Sequence, residues 1–220
     1  MKVIITGTSG MVGEGVLHEC INDSKIDKIL IINRKSIYYY HPKVEELLLP
    51  DFFNIGNTLS QIKDYDACFF CLGVSSLGMD KQEYYKLTYS LTMNFVTAIA
   101  QQNPTLTFCY ISGAGTDSSE KGRLAWARVK GKTENDLMKL DFKSVYGVRP
   151  GYLQPIKGMK NTHPYYAYIK WIYPLWSLLA PNTVNTLSQL GKAMINLAKK
   201  GYSKKIVGIA DINKLAKKKG

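Results

Sequence analysis

The order of its apolar runs predicts an α/β protein built on a doubly wound parallel sheet. Three observations carry that reading. Short apolar segments alternate with longer amphipathic ones along the chain, which argues for strands joined by helical crossovers. A glycine-rich turn joins the first apolar segment to the first helical one. No repeat, low-complexity stretch or linker divides the 220 residues, a length that suits one large domain spanning 1–220.

The elements follow in order. "KVIIT" (2–6) reads as a buried strand, and "GMVGEGVLHECIND" (10–23) opens a helix behind it. "KILIIN" (28–33), "DACFFCL" (66–72), "LTFCYIS" (106–112), "SVYGVR" (144–149) and "KIVGIA" (205–210) are the further strands. Helical periodicity covers 80–102, the stretch around Lys130 (122–137) and 186–201. Right-handed crossovers then place helices on both faces and the ligand at the carboxyl ends of the strands. Residues 155–185 are rich in aromatics and proline and poor in strand character. They read as a small C-terminal insertion, a lid or substrate-side segment over the ligand edge.

Composition narrows the partners. A hydrophobic content of 45% suffices for a sizeable core. The opening "MKVIITG" lacks the ordered regions of a signal peptide, and the best membrane candidate, 165–180, is interrupted by Lys170 and Pro174. A cytoplasmic location is expected. The net charge of +12 favours an anionic partner, either a phosphorylated cofactor or, peripherally, an anionic membrane surface. Its lysines are dispersed, so nucleic-acid binding is not expected. Cys68 and Cys71 form a C-x-x-C, but residues three apart on a strand point to opposite faces, so they are read as core residues and no metal site is expected.

The segment "TGTSGMVG" (6–13) carries the strongest chemical signal. Gly7 permits the strand-to-helix turn, Gly10 lets a pyrophosphate approach the backbone and helix start, and Gly13 allows close helix–sheet packing. Thr8, Ser9, Met11 and Val12 complete this cofactor-binding loop. Use of NAD normally places an acid at the end of the second strand, to accept from the ribose 2′-hydroxyl. Here the strand runs into "NRK", and Arg34 and Lys35 offer positive charge suited to a 2′-phosphate. NADP is therefore favoured over NAD.

These features, followed by "DACFFCLG", "ISGAG", a helix with lysine and "GVRPGYL", resemble the extended and atypical short-chain dehydrogenases/reductases. The likeness is to the branch holding the Tat-interacting-protein oxidoreductases and small NAD-dependent epimerase/dehydratase-like proteins, and it covers about 1–155 well. The resemblance implies roles for matching positions. Asp51 and Phe52 would cradle the adenine, and Cys71, Leu72 and Gly73 would flank the adenosine ribose. Ser112 would hydrogen-bond the substrate carbonyl, and Lys130 would hold the nicotinamide ribose. Pro150, Gly151, Tyr152 and Leu153 would meet the nicotinamide amide.

One position departs from the pattern. Members of the family keep a catalytic tyrosine four residues before the lysine, on the same helix face. This chain has Trp126, whose indole N–H donates a hydrogen bond but is not a usable acid or base. Thr88 stands where many members keep an asparagine of the proton relay, and Tyr84, Tyr85 and Tyr152 are possible substitutes for the missing phenol. Three functions stay open: an NADP-dependent oxidoreductase or epimerase-like enzyme acting on a small carbonyl or alcohol, apolar if the 155–185 segment forms a lid over it; a non-catalytic dinucleotide sensor; and a membrane-peripheral cofactor-binding protein.

Overall fold

The computed structural model describes residues 1–162, 180 and 183–217. The stretch at 165–180 that the sequence singles out, and most of the proposed 155–185 insertion, lie outside the described residues. Besides a 3-10 turn at Gly56–Ile62 and a π-helical turn at Lys86–Ser90, nine strands and six α-helices are assigned among those described. They are β1 (Lys2–Thr6), α1 (Met11–Asn22), β2 (Lys28–Asn33), β3 (Val44–Leu48), β4 (Ala67–Phe70), α2 (Lys81–Tyr85), α3 (Leu91–Gln102), β5 (Thr107–Ile111), α4 (Ala125–Leu137), β6 (Ser144–Val148), β7 (Tyr152–Gln154), β8 (Val184–Thr186), α5 (Leu187–Lys200), β9 (Ile206–Val207) and α6 (Ile209–Ala216).

Seven strands form one parallel sheet in the order β3-β2-β1-β4-β5-β6-β9. The direction in which successive strands are added reverses between β1 and β4, which makes the crevice beyond their carboxyl ends the expected ligand position. The sheet is continuous in apolar residues because both faces are covered: Val3, Ile4, Ile5, Ile29, Ile31, Phe69 and Phe108 are all fully buried. One face packs on α1, α5 and α6 through Val16, Leu17, Leu190, Met194 and Ile212. The other packs on α3 and the 49–65 connection through Phe52, Phe70, Phe95 and Phe108.

The structure differs from the sequence reading at several places, among them the short strands β7 and β8, which the sequence did not show. The edge strand β3 comes from "VEELL", whose two adjacent glutamates interrupt any apolar run. The last strand is only Ile206–Val207, because Gly208 starts α6, whose buried Ile212 and Leu215 recur at helical spacing. The predicted helix 80–102 runs as α2 and α3 joined by a π-helical turn over Lys86–Ser90. Cys68 and Cys71 fall on opposite sides of the sheet, one within the α3-side core and the other packed against the α1-side core. All four cysteines are free thiols.

Candidate functional site

The site begins at the turn between β1 and α1. Gly7 has φ of +71°, a left-handed conformation that a side chain disfavours, and a Cβ there would lie 2.9 Å from the backbone of Cys71 and Leu72. Gly13 is tighter still, because its Cβ would stand 2.2 Å from the Gly7 carbonyl oxygen. Gly10 differs in kind: it is the N-cap of α1, no side chain caps the helix, and a Cβ there would meet only the Gly7 oxygen at 3.5 Å. The start of α1 is thus left open by an absent side chain, and its first-turn N–H groups are available to an anion. On that observation the loop fits a pyrophosphate. The Thr6 hydroxyl accepts from the Leu72 N–H at 3.3 Å and so ties the ends of β1 and β4 together beside it.

At the end of β2, the position expected to read the ribose is Asn33, which is 2% exposed. Its side chain is turned inward, accepting from Thr8 Oγ1 at 3.0 Å and donating to Glu46 Oε1 at 3.1 Å. Arg34 and Lys35 follow it, both exposed and carrying no side-chain hydrogen bond or ion pair among the described residues. Beyond β3, Asp51 accepts from the Phe53 N–H at 2.9 Å, while the Phe52 ring lies in the core against Phe95, 5.4 Å between centroids. The Phe52 carbonyl accepts from Asn94 Nδ2 at 2.9 Å. Cys71, Leu72 and Gly73 leave β4 next to Gly7, and burial pushes the Cys71 thiol far above its usual range.

The carboxyl ends of β5 and β6 are joined to α4 by a buried polar network. Lys130 Nζ donates to the Ser112 carbonyl at 2.5 Å, and burial lowers the lysine's pKa. The Ser112 hydroxyl donates to Glu134 Oε1 at 2.5 Å, and the residue is 3% exposed. Glu134 is 1% exposed and is paired with Arg149, whose Nε donates to Oε1 at 3.1 Å and whose Nη2 donates to Oε2. Nη2 also donates to Ser118 Oγ at 2.5 Å. Gly147 makes room for the carboxylate, since a Cβ there would lie 2.6 Å from Oε1. Ser112 is therefore held at both ends by α4, its carbonyl by Lys130 and its hydroxyl by Glu134.

Trp126 sits one turn before Lys130 and is partly buried. The far edge of its indole covers Gly115, where a Cβ would stand 3.3 Å from the ring. Gly115 has φ of +86°, so the turn after β5 carries a bare backbone where the indole lies. Gly131, on the same helix, allows α4 to touch this turn: its Cβ would be 1.8 Å from the Asp117 carbonyl oxygen. Pro150 accepts from the Ala114 N–H at 2.8 Å, and the Gly151 N–H donates to Asn185 Oδ1 at 3.2 Å. Tyr152 and Leu153 continue into β7, which pairs in parallel with β8. Of the alternative phenols, Tyr84 is 4% exposed with its pKa raised by burial, and Tyr85 stacks on Tyr89. Thr88 lies in the π-helical turn with its hydroxyl buried and unpartnered among the described residues.

The sequence reading missed Glu134, Arg149, Asn33 and Glu46. Glu134 had a legible signal: with Trp126 and Lys130 it repeats every four residues on one helix face. Among the described residues no helix is long and apolar enough to cross a membrane, and no cluster of three or more metal-ligating side chains occurs.

No family model matches the chain. In sequence it is similar to protein FMP52, mitochondrial, of Meyerozyma guilliermondii, with 26% identity over 157 residues, 70% of this chain and 65% of that one. It is also similar to the leucinostatins biosynthesis cluster protein T of Purpureocillium lilacinum, with 32% identity over 118 residues, 52% of this chain and 44% of that one. The matched region thus spans less than two thirds of either relative. The mitochondrial designation recurs in FMP52 of Saccharomyces cerevisiae and Candida albicans, and it overturns the cytoplasmic location expected from the sequence. Among solved structures, the Bordetella bronchiseptica enzyme WbmF in complex with NAD+ superimposes with a TM-score of 0.66 at 13% identity, covering 98% of this chain and 76% of that one. A short-chain dehydrogenase/reductase of Saccharomyces cerevisiae gives 0.65 at 11% identity, covering 92% of both chains. The chain has the Rossmann-type fold of the short-chain dehydrogenases/reductases and their NAD-dependent epimerase relatives.

Proposed function

We propose that the protein binds NADP(H) across the carboxyl ends of β1, β4 and β5 and acts as an oxidoreductase or epimerase-like enzyme on a small carbonyl or alcohol. The observation that carries the cofactor reading is the open start of α1 behind Gly10, with the cations Arg34 and Lys35, unpaired among the described residues, one strand away. The first-turn N–H groups from Met11 to Gly13 would take the pyrophosphate, and Thr8 and Ser9 would line its approach. Arg34 and Lys35 would take the 2′-phosphate. Asp51 and the Phe52 backbone would flank the adenine, and Cys71, Leu72 and Gly73 the adenosine ribose. Lys130 would hold the nicotinamide ribose, and the Pro150–Leu153 segment the amide. When bound, the nicotinamide supplies a hydride donor or acceptor.

Titration of nucleotide fluorescence tests this. NADPH is expected to bind at least about tenfold more tightly than NADH, the worth of one charge-assisted contact. Equal or tighter NADH binding rejects the NADP reading.

A second reading is favoured by one observation. With Trp126 in the tyrosine position and the Ser112 hydroxyl given to Glu134, two groups that would handle a substrate carbonyl are absent or engaged. The protein would then be a dinucleotide-binding sensor with little turnover. Trp126→Tyr separates the two readings in a carbonyl-substrate screen with NADPH. A general acid is worth about 10²–10⁴-fold, so an enzyme lacking only its phenol should gain a large part of that factor. A variant that binds NADPH and gains no turnover favours the sensor.

A further inference from the structure

The acid missing from the end of β2 has a counterpart on the neighbouring strand. Glu46 lies on β3, and its Oε1 accepts from Asn33 Nδ2 and from the Ile37 N–H, both at 3.1 Å. Its Oε2 accepts from Ser36 Oγ at 2.5 Å. Burial works against its charge, yet these three donors hold its pKa below the ordinary carboxylate value. Ser36 Oγ in turn accepts from the Tyr38 N–H at 3.1 Å, in a turn where Tyr38 has φ of +51°. Asn33 carries the chain of contacts to Thr8 in the glycine loop. Every one of these bonds falls between residues 33 and 38 or ties them to β3 or the glycine loop. Arg34 and Lys35 sit in the middle of that stretch and make no such bond themselves.

We propose that Glu46 is the positioning residue for cofactor choice: it fixes the 33–38 turn so that Arg34 and Lys35 present their charge to the 2′-phosphate. With three of its about four acceptor positions taken, this carboxylate has little capacity left to accept a ribose hydroxyl. Its three donors are neutral, so they stabilise its negative charge and partly screen it without cancelling it. The proposal rests on the NADP reading above and assigns that preference to a residue outside the phosphate contacts.

The test compares NADPH and NADH dissociation constants for the native protein, Glu46→Ala, Glu46→Gln and Ser36→Ala, with thermal melting of each. Glu46→Ala removes all three acceptor contacts and is expected to weaken NADPH by about tenfold or more while NADH shifts by less than about threefold. Glu46→Gln keeps an oxygen that can accept from Ser36 or Ile37 and should retain most of the preference. Ser36→Ala, which leaves the carboxylate in place, should move the ratio in the same direction as Glu46→Ala and serves if that variant does not fold. A native protein without NADPH preference removes both readings. A native preference that survives Glu46→Ala or Ser36→Ala unchanged, or rises, overturns the positioning role alone.

Discussion

Glu134→Ala is expected to lower the unfolding free energy by about 3–5 kcal/mol, the usual consequence of removing one partner of a buried ion pair. The side chain of Glu134 is wholly buried, and Arg149 beside it is 18% exposed. The alanine variant would leave the guanidinium beside a void with only Ser118 as a strong acceptor, and it would strand the Ser112 hydroxyl. Against a typical total of about 5–15 kcal/mol, that is a large fraction of the stability. Urea denaturation with an unchanged slope measures it. Replacing the pair together, as Glu134→Met with Arg149→Met, should recover much of the loss, because the penalty is mainly that of a lone buried charge. A single variant within about 1 kcal/mol of native would mean that the pair is solvated in solution, contrary to its burial here.

Gly13→Ala should have the largest effect on cofactor binding. Its new methyl would lie 2.2 Å from the Gly7 oxygen, 2.5 Å from the Gly7 carbon and 2.8 Å from the Thr8 nitrogen. These are backbone atoms, so no rotamer change relieves the clash; either α1 moves off the sheet or the glycine loop opens. Overpacking of this kind typically destabilises by about 1–3 kcal/mol, and the displaced loop should weaken NADPH binding by about tenfold to a hundredfold. Gly10→Ala is the informative partner. Its methyl meets the protein only at an ordinary contact distance, so melting should change little while affinity falls, because the methyl occupies the approach to the helix start. Native affinity in Gly10→Ala would remove the pyrophosphate from this position.

Much of the fold could be read from apolar periodicity. β1, β2, β4, β5 and β6 are buried on both faces and so appear as unbroken runs, and the helices between them show one apolar stripe each. The elements that were not legible lack such a signal. β3 is an edge strand whose Glu45 faces solvent and whose Glu46 faces a polar turn, so its composition mixes both faces with charge. β7 and β8 are three residues each and are specified by their pairing, which no local pattern encodes. At the site, glycines could be read because their spacing is dictated by backbone geometry. Asn33, Glu46, Glu134 and Arg149 act through partners 9 to 31 residues away in sequence, and only the folded chain brings those partners together.

Glu14, in the first turn of α1, accepts from the Lys160 and Asn161 N–H groups at 2.8 Å each. One carboxylate, four residues after Gly10, thus ties the start of α1 to backbone nearly 150 residues downstream. The proposed nucleotide binding at the glycine loop is therefore expected to raise amide protection at 160–161, because both depend on the same helix start. Hydrogen exchange at those two amides could report nucleotide arrival without a substrate, a chromophore or a turnover assay.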